Sequence, residues 1–416
     1  MGAGRIAVMG DLKGRFFAAR KLTADLAAPL SDADATVQSM PDASPAKWHL
    51  AHVTWFLESF ILRDHVPGYS AFDDKFAYLF NSYYEAEGQR HARNARGLLT
   101  RPPLSQILEY RAHVESAIAA HWDALPQAAL DLIELGIHHE QQHQELLLTD
   151  ILHLFAQNPL RPAYWPRARV TGQTAAPMQW VEGASGVQAI GYSGDGFAFD
   201  CEGPRHDVML QPFALADRPV NNGEWMQFIA DGGYSEPRHW LSDGWGWVQR
   251  EGVSAPLYWQ QGNDGHWLSF GLDGLHPVDH AAPVTHISLY EADAYASWAG
   301  ARLPIEAEWE IMAATRDPRE GNQLDGPGAV QPLAALAAAM FGNVWQWTGS
   351  AYRPYPRFRA AEGAVGEYNG KFMSGQFILR GGSCATPRGH MRASYRNFFY
   401  PHQRWQFTGV RLAKDV

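Results

Sequence analysis

Apolar positions in the first third of the chain recur at helical spacing. Leu12, Phe16, Phe17, Leu22 and Leu26 share one face, which predicts a helix over residues 11–31. Ser44-Pro45 then reads as a helix start, with serine as the cap and proline at the first helical position. The helix it opens, Lys47 to Arg63, carries His49, His52, Phe56 and Phe60 along one stripe. Residues 65–103 lack such a period and are expected to form a long connection. Loops of that length in a compact domain are functional or disordered, and two tyrosines with Arg90, Arg93 and Arg96 favour function. Two more periodic runs, about 104–122 and 127–156, complete an antiparallel four-helix bundle over residues 1–157. Such bundles build metal sites from side chains on facing helices.

The pattern changes after Asn158. The run NPLRPAYWPRARVTGQTAAP is proline-rich and aperiodic, and a linker is expected over 158–178. Beyond it come short β-like pieces, glycine turns and two helices, Asn222 to Asp231 and Ser288 to Gly300. Residues 179–416 therefore read as a second domain of mixed helix and strand, and the fold class as multidomain α+β. No internal repeat or low-complexity segment is visible.

Composition narrows the function classes. At 416 residues the chain is long for a single core, and 46% hydrophobic with 19% charged residues is ordinary for a soluble globular protein. A net charge of −10 argues against a general nucleic-acid or membrane-surface role. Cys201 and Cys384 are the only cysteines, which excludes a disulfide framework and a cysteine-rich metal site and fits a reducing cytoplasm. The N-terminus shows no long apolar run, so neither an export signal nor a membrane anchor is expected.

Candidate chemistry centres on IHHEQQHQELLL, residues 137–148. His139 and His143 stand one turn apart on one face, a spacing that can hold one divalent transition metal. His52, on the earlier histidine-bearing helix, is the natural third ligand. The bland alternative is a set of histidines satisfied by hydrogen bonds in a polar-lined bundle. HEQQH (139–143) also fits the zincin pattern, with Glu140 as the general base of a metallopeptidase, although no third zinc ligand follows at zincin spacing. A non-catalytic small-molecule-binding protein is a third reading, against which the intact histidines count.

Two sets of motifs carry a family resemblance. SPAKWHLAHVTWFLE and HHEQQHQELLLTDI resemble the DinB-like bundle with its His-x₃-His-x-Glu motif. PVNNGEWMQFIADGGY, PVTHISLYEADAYASWAGARLPIEAEWE, GNVWQWTGSAY and LRGGSCATPRGHMRASYRN resemble the formylglycine-generating-enzyme/sulfatase-modifying fold, which is similar to a C-type lectin. Together they resemble the ergothioneine-type non-haem iron sulfoxide synthases, over nearly the whole chain. The resemblance implies Fe(II) held by His52, His139 and His143, with hercynine, dioxygen and a sulfur or selenium donor as small-molecule partners. It implies Gln142 beside the substrate imidazole, Asn397 at the substrate carboxylate, and Phe398 and Tyr355 in the pocket wall. Tyr352 matches the proton-delivering tyrosine of one branch, and Tyr83 or Tyr84 that of another. Phe399 stands where the branch using γ-glutamylcysteine has an aspartate, and Arg90 and Arg93 lie on a loop that departs from the cysteine-using version. These differences bring in the related selenoneine synthase, whose donor is a selenosugar, beside the thiol-using reading. A formylglycine-generating oxidase would need a reactive cysteine pair, and Cys384 has no partner nearby in sequence.

Overall fold

The computed structural model describes residues 2–166, 174–334, 339–362 and 364–416. The chain forms two compact units. The first takes residues up to Gln157 together with Gly326–Gly328 and Glu362–Tyr368; the second takes Asn158–Asp325, Ala329–Ala361 and Asn369–Val416.

In the first unit the helices are α1 (Gly2–Ala27), α2 (Asp32–Thr36), α3 (Ala46–Leu57), α4 (Phe76–Phe80), α5 (Leu104–His121) and α6 (Gln127–Ala156). The helix expected over 11–31 starts earlier and stops at Ala27, because Pro29 has no N–H to continue it. Ser31 then caps the short α2 through a reciprocal bond pair with Asp34. Ser44 is not the cap of α3. Its hydroxyl accepts from Arg96 at 2.9 Å, and its N–H donates to Asp150 at 2.8 Å. The carbonyl of Pro45 takes the first helical bonds instead, from Trp48 and His49. Every residue of α3 is buried, its polar Lys47, His49, His52 and Thr54 included. It runs on as a π-helical turn, Glu58–Arg63, where the buried Glu58 carboxylate accepts from Tyr69, Phe72 N and Tyr110 at 2.6–2.9 Å. The connection expected over 65–103 contains α4 and two 3₁₀ turns, Glu85–Glu87 and Arg93–Leu98. Five residues of α4 are too few to show a period.

The second unit is a set of small sheets with short helices. Its strands are β1 (Trp180–Glu182), β2 (Gly186–Ile190), β3 (His206–Leu210), β4 (Phe213–Ala216), β5 (Trp259–Gln261) and β6 (Trp267–Gly271). They continue as β7 (Gly274–Pro277), β8 (Trp345–Ala351), β9 (Phe377–Arg380), β10 (Asn397–Phe399), β11 (Thr408–Gly409) and β12 (Ala413–Asp415). The central sheet runs β10-β9-β8-β11, antiparallel except for the β8–β11 pair. Beside it lie sheets β1-β4-β12 and β5-β6-β7 and the β2–β3 pair. Its helices are α7 (Asn222–Ala230), α8 (Ser242–Glu251), α9 (Leu289–Trp298) and α10 (Glu306–Ala313). Capping boxes Asn221/Glu224 and Ser288/Glu291 start α7 and α9, so Ser288 lies just outside the helix expected to include it. Helix α8 escapes sequence reading because Gly244 and Gly246 interrupt its apolar period.

Of the expected linker, residues 167–173 lie outside the described residues. Before them the chain is not loose: Tyr164 is buried, and the N–H groups of Tyr164 and Trp165 both donate to Leu272 O. Fully buried Trp225, Trp309, Trp345 and Trp347 form the centre of this unit. The indole N–H of Trp309 donates to Gln346 at 2.8 Å and that of Trp347 to Ile287 O at 2.9 Å. No described helix is long and apolar enough to cross a membrane.

Candidate metal centre

Helices α3 and α6 approach closely at Gly136. A Cβ there would stand 3.0 Å from Leu57 Cδ2 and 3.4 Å from Phe56 Cε1, so a side chain would fit only if those two side chains shifted slightly. Just beyond that contact, His139 meets His52 with ring centroids 5.0 Å apart. His143, one turn further on, lies 4.7 Å from the His139 ring and 4.9 Å from His52. One ligand atom from each of the three rings lies within 4.8 Å of the others, the grouping a single metal ion needs.

Hydrogen bonding decides which nitrogens point inward. His52 Nδ1 lies 2.6 Å from the carbonyl oxygen of Phe80, which only accepts. The hydrogen therefore sits on Nδ1, and the Nε2 lone pair is available. That Nε2, and both nitrogens of His139, are buried without a hydrogen-bond partner. Leaving a buried polar group unmatched costs about 1–3 kcal/mol, and a bound cation would remove that cost for His52 Nε2 and for one nitrogen of His139. Burial pushes His139 down to about 3 and holds His52 and His143 well below the usual histidine value. All three thus stay neutral near pH 7, as a metal ligand must. The residues fit a metal.

Aromatic rings close in on the triad. Trp48 and Trp55 both stack on His52, at 4.6 and 5.5 Å, and Phe56 lies 5.0 Å from His139. Arg96 lies over Trp48 at 3.3 Å and reaches Ser44, so of the loop's three arginines it is the buried one. Arg90 instead pairs with Glu85, and Arg93 donates to the carbonyl of Asp42; both contacts are exposed. Tyr84 is fully buried against Trp55, Phe56 and Phe60, with Tyr83 stacked on it at 4.7 Å. Burial raises both phenols above their ordinary value. Gln142 accepts the hydroxyl of Tyr368, whose ring lies 5.6 Å from His139 and 6.1 Å from Tyr83. The neighbouring Glu367 carboxylate accepts from the N–H groups of Glu85 and Ala86 at 2.8 and 3.0 Å.

Sequence reading missed Tyr368, since nothing local ties an aperiodic segment to a helix more than 200 residues earlier. It also gives His49 no role beyond its place on the stripe. His49 Nδ1 lies 2.8 Å from His143 Nδ1, and its Nε2 lies 3.0 Å from Asp150. A usable signal existed: Asp150 falls two turns after His143, on the same face of α6.

Glu140 does not face the triad. It sits between Arg20 of α1 and Arg111 of α5, 3.0 Å from each, and their charges hold it at about 2 despite its burial. Arg20 also donates to Thr54 of α3 at 2.9 Å. A carboxylate so engaged has no capacity to act as a general base, which removes the part that HEQQH would need in a metallopeptidase.

In the second unit, Tyr352 stacks on Phe398 at 4.2 Å, with 11° between the ring planes. Arg396 lies over Tyr355 at 3.9 Å and over Tyr352 at 5.1 Å. The Tyr355 hydroxyl is tied to Arg380 and Glu306, within a buried network that Arg396 also joins. Asn397 pairs with Leu379 across β10 and β9, and its side-chain oxygen accepts from Phe398 N at 2.9 Å. Phe399 lies 6.4 Å from Trp405. Cys201 and Cys384 are buried and not joined by a disulfide. Burial pushes the Cys201 thiol up to about 12, opposite to what a reactive thiolate requires.

Comparison with known proteins covers both units. Residues 15–147 match the DinB superfamily, and 172–326 and 327–416 match the sulfatase-modifying factor enzyme 1-like domain. A hercynine oxygenase from Mycolicibacterium smegmatis is 35% identical, covering 92% of this chain and 94% of its own length. Its counterpart from Mycobacterium tuberculosis is 34% identical, again over 92% of this chain and 94% of its own. Ergothioneine biosynthesis protein 1 of Schizosaccharomyces pombe is 27% identical over 53% of this chain and 28% of its own length.

Proposed function

Because the chain belongs to the hercynine oxygenase family, we propose that it is an O₂-dependent iron enzyme forming an oxidised carbon–chalcogen bond at imidazole C2 of hercynine. The observation that carries this reading is the triad of neutral imidazoles, His143 half-buried and the other two buried, with unpartnered nitrogens on His52 and His139. Three neutral ligands without a carboxylate leave room and charge for an imidazole and an anionic thiolate or selenolate supplied by the substrates. With a thiol donor, the C2–H and S–H bonds are consumed, one oxygen atom of O₂ enters the sulfoxide and the other leaves as water. Fe(II), when bound, supplies the redox chemistry that brings O₂ into this reaction. His52, His139 and His143 hold it. The stacked indoles of Trp48 and Trp55 keep bulk water from the His52 side.

The substrate roles are part of the same proposal. Gln142 orients the substrate imidazole, and Asn397 donates to the carboxylate. Phe398 and Tyr355 are the pocket-wall aromatics for a trimethylammonium, which has no hydrogen to donate and is held by ring quadrupoles; Arg396 already lies over Tyr355, so Phe398 is the ring that offers a face. Tyr84, Tyr83 or Tyr352 supplies a proton, a task that fits phenols which burial keeps in their protonated form. Phe399 offers no carboxylate to an ammonium, which favours a donor smaller or less charged than γ-glutamylcysteine. A cysteine-like thiol and a selenosugar remain the two donors to compare.

The test loads the protein anaerobically with Fe(II), then admits air with hercynine and cysteine, γ-glutamylcysteine or a 1-seleno-sugar, and reads the adduct by mass. Turnover with a thiol supports sulfoxide synthesis, and turnover of the selenosugar supports the selenium reading. No adduct with any of the three rejects the proposal.

A further inference from the structure

We propose that His49 and Asp150 are positioning residues for the metal: the pair fixes which nitrogen of His143 faces it. The proposal rests on the metal-centre reading above and is independent of the identity of the substrate.

The argument follows three contacts in series. Ser44 N–H donates to Asp150 Oδ2 at 2.8 Å. His49 Nε2 lies 3.0 Å from the same oxygen. His49 Nδ1 lies 2.8 Å from His143 Nδ1. His49 and Asp150 are 2% and 7% exposed, so water does not compete for these bonds. A carboxylate offers acceptors only, so the hydrogen of the second contact is on His49 Nε2. A nitrogen-to-nitrogen contact of this length holds one hydrogen. Were it carried by His49, His143 would accept through Nδ1, carry its hydrogen on Nε2 and keep no lone pair for a metal. Carried by His143, it leaves the Nε2 lone pair bare, beside the unpartnered nitrogens of His52 and His139. The Phe80 carbonyl imposes the same choice on His52. Two of the three ligands are thus set in the metal-ready tautomer by groups outside the triad, and for His143 the setting group is a second histidine backed by a carboxylate.

Packing alone gives a different expectation. A histidine that merely fills core would be replaceable by an aromatic ring of similar size, with no effect on the metal. The test therefore titrates cobalt(II) chloride into the metal-free protein and reads its visible absorption bands for wild type, His49→Phe, Asp150→Leu and Asp150→Asn. His49→Phe and Asp150→Leu should each weaken cobalt binding about 10–100-fold, the usual effect of removing a partner behind a metal ligand. Asp150→Asn keeps an oxygen for Ser44 N–H and His49 Nε2–H, and should retain most of the affinity. Nitrogen-15 spectra of the metal-free wild type, labelled in its histidine rings, read the tautomers directly even where a variant fails to fold. Hydrogens on His49 Nε2 and His143 Nδ1 are expected. A hydrogen on His143 Nε2, or unchanged cobalt affinity in folded His49→Phe, would overturn the proposal. Neither readout uses hercynine, so loss of the substrate reading would leave this result standing.

Discussion

His139 contributes two buried nitrogens without a hydrogen-bond partner, and a bound metal would take up one of them. His139→Leu should therefore abolish cobalt and iron binding, yet leave the metal-free protein at least as stable, measured as Tm by circular dichroism. A fall of many degrees would mean that the imidazole is core rather than ligand. At the substrate end, Asn397→Ala should raise KM for hercynine by removing a donor worth about 1–3 kcal/mol in a desolvated site. Phe399→Asp should shift kcat/KM toward γ-glutamylcysteine by supplying the missing carboxylate; an unchanged ratio among donors would separate Phe399 from donor choice. That His139 stands beside His143 was legible in the sequence, because helical spacing alone places them one turn apart on one face. The inward arginine was not. Arg90, Arg93 and Arg96 are equivalent in an aperiodic run, and only the folded loop sends Arg96 under Trp48.

Helix α6 was readable to its last residue, since thirty residues of apolar period bounded by Pro126 leave little choice. What its polar back face does was not readable. Glu140 could have been a base or an anchor, and the arginines that decide it come from α1 and α5, 120 and 29 residues away in sequence. Removing that carboxylate strands two buried guanidinium groups. Glu140→Ala should cost about 3–5 kcal/mol in urea unfolding, while any folded fraction still binds cobalt. The clamp also sets an acid limit. Glu140 is held at about 2 against an ordinary 4.5, so its stabilisation is complete above pH 4.5 and is lost as pH falls toward 2. His139, pushed to about 3 from 6.5, acts in the same direction over a higher window: the unfolded chain gains protons first, and stability falls between pH 6.5 and 3. The metal-free protein should show a Tm that declines steadily below about pH 6.5. A flat profile down to pH 4 would contradict the buried, neutral state of His139.

At the level of the whole molecule, the change of pattern after Asn158 announced two kinds of architecture. Periodicity located the bundle, and motif pieces located the lectin-like part. The segment Glu362–Tyr368, which folds with the first unit, has no counterpart in either signal. A fragment of residues 1–157 should accordingly bind cobalt but expose the amides of Glu85 and Ala86, seen as faster hydrogen exchange there than in the full chain. Equal protection would show that Glu367 adds nothing to that loop. The same feature sets an order of events during synthesis. The histidine helices leave the ribosome early, while Tyr368 follows roughly 200 residues later, about 10–40 s at ordinary elongation rates. Throughout that interval a nascent chain holds its histidine face without the tyrosine that will lie beside it. The ring that packs beside His139 is among the later parts of the protein to be made.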